Sequence, residues 1–136
     1  MIKQEEIYQA YKRQLEKLSK IAPCRYTVER YYRSHRQLII SATSKRNVEI
    51  KSETLYAHFI AVEYMSLIPF WDNVEFSLVP INEIRQNLEA IGIFANGHEK
   101  NPIIVCADPP GFHLYIVCHI LQVLDKMPEI YAYHLD

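Results

Sequence analysis

The sequence predicts a single α+β domain over residues 1–136: an N-terminal helix, an antiparallel meander and a closing β-α-β-α unit, forming a mixed sheet packed by helices. Three observations predict it. An amphipathic stripe opens the chain, β-rich runs follow, and the C-terminal half interleaves apolar runs with segments of helical spacing. A chain of 136 residues has the commonest size for one domain and can bury a sizeable core unaided.

Ile7, Tyr11, Leu15 and Leu18 recur at helical spacing from about residue 3 to 20, with Arg13, Lys17 and Lys20 on a separate ridge. The runs "RYTVERYYR" and "QLIISAT", joined by a short polar turn, read as an antiparallel hairpin over roughly 25–43. Strict alternation would put Tyr26, Val28, Arg30 and Tyr32 on one face of its first strand and Arg25, Thr27, Glu29, Tyr31 and Arg33 on the other. "VEIK" begins a third extended piece after the turn "SKRN". In "SETLYAHFIAVEYMSLIPFW" the apolar residues fall on every face under either period, so residues 53–68 read as strand or helix, with strand favoured by the β-branched and aromatic content.

"VEFSLV" alternates, with Val74, Phe76 and Leu78 inward and Glu75 and Ser77 outward. "INEIRQNLEAIG" sets Ile81, Ile84, Leu88 and Ile91 on one helical stripe ending at Gly92. "PIIVCA" reads as a strand covered on both faces, and "DPPGFHLYIVCHILQVLDKM" as a helix over about 111–127 with Leu114, Val117, Leu121 and Leu124 on one stripe. The tail "PEIYAYHLD" reads as a short strand or a surface segment.

Net charge is −1, but residues 1–51 carry twelve Lys/Arg against five Asp/Glu (+7), and residues 52–136 carry three against eleven (−8). A basic front joined to an acidic back is the pattern of an anionic partner, or of contact between oppositely charged faces of neighbouring copies. Three cysteines, two of them in strongly apolar segments, cannot all pair within one chain and read as reduced, buried fillers. No apolar run reaches the roughly 18 residues that cross a bilayer, and the charged N-terminus has no signal-peptide core, so a cytoplasmic protein with no membrane partner is expected. Only three glycines leave little room for phosphate-cradling loops.

Two short stretches invite a catalytic reading. Asp108 stands where a helix N-cap belongs, with Pro109 and Pro110 at the first helical positions, a placement that folding needs alone explain. Over four residues, Asp108-Pro109-Pro110-Gly111 also resembles the strand-ending Asp-Pro-Pro-aromatic of S-adenosylmethionine-dependent amino-methyltransferases, with Gly111 at the aromatic position and no glycine-rich loop upstream. "HFIA" from His58 and "HLYI" from His113 resemble the paired His-x-Thr/Ser elements of two-histidine phosphoesterases, with Ile60 and Tyr115 at the hydroxyl positions. Residues 108–113, with Asp108 and His113 as ligand-loop candidates, are thus where a small enzyme would keep its site. The six histidines form neither HxxxH nor HExxH, and CxxC is absent, so no metal and no cofactor are expected. No G-x-S-x-G elbow marks a nucleophile.

The remaining signal is the basic, tyrosine-rich hairpin 25–46, with Arg30, Tyr32, Arg33, Arg36, Lys45 and Arg46 as the candidate interaction residues. Arg and Tyr dominate binding hot spots, which predicts a small non-enzymatic protein of regulatory, adaptor or toxin-neutralising type, working through a protein partner or self-association. The alternative use of the same residues is nucleic-acid binding, where arginines grip phosphate and tyrosines stack on bases.

Overall fold

The computed structural model describes residues 4–46, 53–80, 103–111 and 113–128, together with Gln86 and Ala90. Helix α1 runs over Gln4–Ile21. Leu15, Leu18 and Ile21 point from it into the core, while Arg13, Lys17 and Lys20 stay in solvent, as the helical stripe requires.

Nine strands are described: β1 (Cys24–Tyr32), β2 (Gln37–Ser44), β3 (Thr54–Ile60), β4 (Tyr64–Ser66), β5 (Phe70–Asp72), β6 (Ser77–Leu78), β7 (Ile103–Ala107), β8 (Leu114–Cys118) and β9 (Ile120–Leu124); Gln86 and Ala90 are helical. They form two sheets, one ordered β5-β1-β2-β3-β9 and the other β4-β8-β7-β6. Every strand pair is antiparallel. The inner faces of both sheets and one side of α1 enclose the main core, and Ile104 and Val117 form a smaller buried cluster with Tyr64, Val79 and Tyr115.

This arrangement overturns the expected α+β fold with its β-α-β-α unit and mixed sheet. The decisive segment is the supposed helix over 111–127, which is two strands, β8 and β9, meeting at His119. Inward residues follow period two within each strand, Leu114, Ile116 and Cys118 and then Leu121 and Val123, with the phase slipping by one at the junction. That slip spaces Leu114, Cys118 and Leu121 four and three residues apart, the same spacing as a helical stripe. Asp108 therefore caps no helix; it closes the β7–β8 hairpin, whose last ladder pair is Ala107 with Leu114.

The expected hairpin 25–43 is present as β1 and β2, but its faces are not those of strict alternation. Cα pairing runs Val28 with Ile40 and then Arg30 with Ile39, so Glu29 is an extra residue, a β-bulge. The bulge moves Arg30 and Tyr32 to the face that carries Arg25 and Thr27, and turns Tyr31 to the side of Tyr26 and Val28. The lean to strand over 53–68 agrees with β3 and β4. In "VEFSLV" Phe76 is buried, Val74 and Leu78 pack on the core, and Glu75 and Ser77 are exposed, although only Ser77–Leu78 is laddered. The "VEIK" piece, the stripe Ile81, Ile84, Leu88 and Ile91, and the tail from residue 129 lie outside the described residues.

The two sheets share one ribbon, folded at a corner. β3 pairs with β9 in the first sheet, and their continuations β4 and β8 pair in the second. At the corner Ala61, Val62 and Glu63 on one strand stand against His119 on the other. His119 N–H donates to the Ile60 carbonyl (3.1 Å) and Glu63 N–H to the Val117 carbonyl (2.7 Å). Strands that switch sheets through a bulge are how such corners are built. The helix and the β1–β2 turn lock it from either side: Tyr11 Oη donates to the His119 carbonyl (3.2 Å), and Val62 N–H donates to the Arg36 carbonyl (2.9 Å). His119 Nε2 and Glu63 Oε1, 3.2 Å apart, close it.

Next to the corner the core is aromatic. Tyr26 stacks on Trp71 at 5.2 Å, and Phe76 meets Tyr26, Phe59 and Trp71 edge-on at 5.4, 5.7 and 5.6 Å. The Trp71 indole N–H reaches the Val74 carbonyl at 3.0 Å, but the fully buried Tyr26 hydroxyl has no nitrogen or oxygen partner among the described residues. The Cys24 sulfur beside it is a weak acceptor whose own thiol hydrogen goes to the Ile21 carbonyl (3.6 Å).

Two substitutions test this packing by chemical denaturation. Tyr26→Phe removes a stranded hydroxyl and should raise the unfolding free energy by about 1 kcal/mol; a loss of similar size would mean the hydroxyl has a partner. Ala61 sits at φ 57°, in the left-handed region, so Ala61→Gly should stabilise by up to about 1 kcal/mol, and destabilisation would contradict the corner geometry.

Candidate functional site

The face of the five-stranded sheet turned away from the core collects most of the unusual side chains. From β5 to β9, its rows read Asp72, Arg25, Thr43 and Thr54; then Phe70, Thr27, Ser41, Tyr56 and Leu124; then Arg30, Ile39, His58 and Gln122; then Tyr32 and Gln37, followed by Ile60 and Ile120. An outward sheet face is ordinarily polar and wet. Here Ile39 is 0 % exposed, His58 2 %, Ser41 4 % and Gln37 8 %, although none of them belongs to the main core.

A hydrogen-bonded chain satisfies this dry centre. His58 Nε2 is 2.8 Å from Gln37 Oε1, and Gln122 Nε2 is 3.1 Å from His58 Nδ1. One neutral tautomer meets both contacts, with Nε2–H donating to Gln37 and Nδ1 accepting from Gln122. Burial lowers the His58 pKa, because the imidazolium would sit in a desolvated place with uncharged partners. Beside the chain, Ser41 Oγ donates to Glu29 Oε2 at 2.6 Å, so the bulge carboxylate is held over the ladder.

The two halves of the face differ. On β3 and β9 the side chains flanking His58 and Gln122 are Tyr56, Leu124, Ile60 and Ile120, and Ile120 is 46 % exposed. On β1 and β5 the face is charged. Arg25 bonds Asp72 through Nε and Nη2 (3.0 and 3.4 Å) and lies 5.8 Å over the Phe70 ring. This guanidinium holds the Asp72 carboxyl below its usual range, and Lys45 adds to it from 3.8 Å. Arg30 Nη1 donates to the Tyr32 hydroxyl at 2.8 Å.

The candidate interaction residues do not form one cluster. Arg30 and Tyr32 share the outer face, as the bulge dictates. Arg33 and Arg36 are exposed in the β1–β2 turn, with Arg36 at φ 50°. Lys45 and Arg46 stand at the other end of β2, where Lys45 N–H donates to the Pro23 carbonyl (2.8 Å). The eight residues of β2 separate the two ends, a span of roughly 25 Å at the strand rise.

Asp108 and His113 are brought together, but across a hairpin mouth. Asp108 Oδ1 lies 2.8 Å from His113 Nδ1, with the side chains 59 % and 74 % exposed. Ser66 Oγ donates to the His113 carbonyl at 3.1 Å, and Pro109 is buried while Pro110 and Gly111 are exposed. So solvated a pair is screened and serves to close the turn. His58 lies in the other sheet, so the two histidines of the phosphoesterase-like elements do not converge.

All three cysteines are free and buried. Burial pushes the Cys118 thiol up to about 12 and raises that of Cys24, the reverse of an activated nucleophile. Among the described residues no His/Cys/Asp/Glu group is placed to hold a metal ion, and no helix is long and apolar enough to cross a membrane. The chain matches no protein-family model, no characterised protein and no solved structure.

Sequence reasoning missed the centre of this face, namely Gln37, Ile39, His58 and Gln122. The alternation of "QLIISATS" places Gln37, Ile39, Ser41 and Thr43 on one side, but only the register against β3 and β9 shows that His58 and Gln122 join them.

The lowered His58 pKa gives a signed prediction. Below the unfolded value of about 6.5 the unfolded chain takes up a proton that the folded chain resists, so stability is intact above that pH and falls as pH drops through it. Denaturant unfolding between pH 5 and 8 should show this slope, and His58→Gln should flatten it. An unchanged slope in the variant would remove His58 as its source.

Proposed function

We propose that this protein is a self-associating contact module in which two copies meet through the outer faces of their five-stranded sheets. The observation that carries this reading is the apolar side-chain surface left uncovered on this face: Ile120 is 46 % exposed and Tyr56, Ile60 and Leu124 are half-buried around it on β3 and β9. Exposed apolar side chains with no charged neighbour on β3 and β9 are what an interface core needs, since no charge has to be stripped of water there on association; the buried polar chain at His58 holds the strands beneath them in register.

Edge-to-edge growth has less support. The outer edge of β9 is occupied by α1, where Gln14 Oε1 accepts the Val123 N–H (2.9 Å). The edge strands β4, β5 and β6 span three, three and two residues, too short to template a long pairing. Apolar halves meet if the two-fold axis lies in the interface and crosses the strands, placing β9 over the partner's β9.

The reading gives a regulatory, adaptor or toxin-neutralising protein a dimeric platform. Free, buried cysteines support a reducing, cytoplasmic setting. Nucleic-acid binding by the hairpin is less well supported, because its cations divide between two ends and Asp72 engages those nearest it, Arg25 and Lys45. An enzyme site at 108–113 has only the solvated Asp108–His113 pair behind it.

Sedimentation equilibrium over a wide concentration range should return the mass of two chains. Ile120→Glu, at an exposed position that leaves the core intact, should shift it to one chain and weaken association at least tenfold. A wild-type protein that stays monomeric throughout contradicts the proposal.

A further inference from the structure

We propose a second contact site, at the margin of the dimer face and away from its apolar half: the edge of β1 at Glu29–Tyr32, which no described strand pairs, accepts an extended acidic segment of a partner protein by strand addition. β5 pairs only with Arg25–Thr27, and the Val28 N–H is taken by the Pro69 carbonyl (2.9 Å). Beyond that point β1 continues for four residues. It is laddered to β2 on one side through Arg30–Ile39, Tyr31–Leu38 and Tyr32–Gln37. On the other side, among the described residues, no strand lies alongside it. A strand edge of this kind offers N–H and C=O groups that no described strand pairs, in line with β5, so an added segment would extend the row that β5 begins.

The side chains around this edge specify the occupant. Arg30, Arg33 and Arg36 are exposed there, while the one carboxylate within the stretch, Glu29, is engaged by Ser41 at 2.6 Å. Glu63, near the turn, is engaged by His119. Because of the bulge, Arg30 and Tyr32 face outward and Tyr31, 39 % exposed, faces the other side. An added strand with carboxylates at alternate positions sets them beside Arg30, and its intervening apolar side chains fall beside the Tyr31 ring. The Arg30–Tyr32 hydrogen bond (2.8 Å) holds the guanidinium in place before binding. The same arginines reject a second copy of this edge by like-charge repulsion, which separates partner capture from uncontrolled sheet growth.

The experiment is a titration of the intact protein with fluorescent eight-residue peptides at 50 mM salt. One alternates Glu and Val, one has the same sequence with every second backbone nitrogen methylated along one edge, and one alternates Lys and Val; a single-stranded eight-nucleotide DNA is run beside them. The Glu/Val peptide should bind, its N-methylated form at least tenfold more weakly, and the Lys/Val form not at all. Arg33→Glu, in the exposed turn, and Arg30→Glu should each weaken binding at least threefold, while Lys17→Glu on α1 leaves it unchanged. Sedimentation mass should be the same for Arg33→Glu as for wild type, so loss of the edge site and loss of the dimer read out separately. The proposal is overturned if no Glu/Val peptide binds, if methylation makes no difference so that charge alone is being read, or if the oligonucleotide binds more tightly than the peptide.

Discussion

The corner where β3 becomes β4 and β8 becomes β9 is the constraint on which the remaining structure depends. At that point one antiparallel ribbon leaves the first sheet and enters the second, so two sheets can enclose a core without a long crossing connection. His119 sits at the centre of it. Its N–H, its carbonyl and its imidazole are each taken by a different element: Ile60 of β3, Tyr11 of α1, and Glu63 at the entry to β4. The β1–β2 turn is tied to the same place through Arg36 and Val62. Four parts of the chain therefore converge on one bend, and the relative position of the sheets follows from it.

The same bend explains what was legible in the sequence and what was not. Where period runs uninterrupted, the reading and the structure agree: the stripe Leu15 and Leu18 on α1, the buried run Ile103–Ala107, and the alternation around Phe76. Where the phase slips, they part. Glu29 shifts β1 by one residue, Ala61 to Glu63 shift the β3–β4 path, and His119 shifts the β8–β9 path. A strand interrupted by one slip presents inward residues at spacings of two and three, and this can match a helical stripe over ten residues. The cue available at 113–124 was composition, since "HLYIVCHILQVL" is dense in β-branched and aromatic residues. Asp108-Pro109-Pro110 misled for the same reason, because an acidic residue before prolines suits a hairpin turn as well as a helix start.

Charge, too, was only half legible. The excess of cations in the first 51 residues is a property of the sequence, but their use depends on register. Asp72, distant in sequence, arrives opposite Arg25 because β5 lies along β1, and it draws Lys45 with it. The arginines left over, at positions 30, 33 and 36, gather at the other end of the hairpin, where the ladder is incomplete. The polar chain at His58 likewise ties β2, β3 and β9 to one alignment, since a one-residue slip would point His58 into the aromatic core and strand Gln37 and Gln122. The outer face of the five-stranded sheet and its dry centre are thus consequences of a single register.

The bend at His119 is tested most directly by backbone NMR of residues 113–125. Strand-type Cα and Cβ secondary shifts should hold over Leu114–Cys118 and again over Ile120–Leu124, interrupted at His119, with cross-strand Hα contacts linking these segments to β7 and β3. Continuous helical shifts across the segment, with sequential amide contacts and no cross-strand ones, would contradict the account.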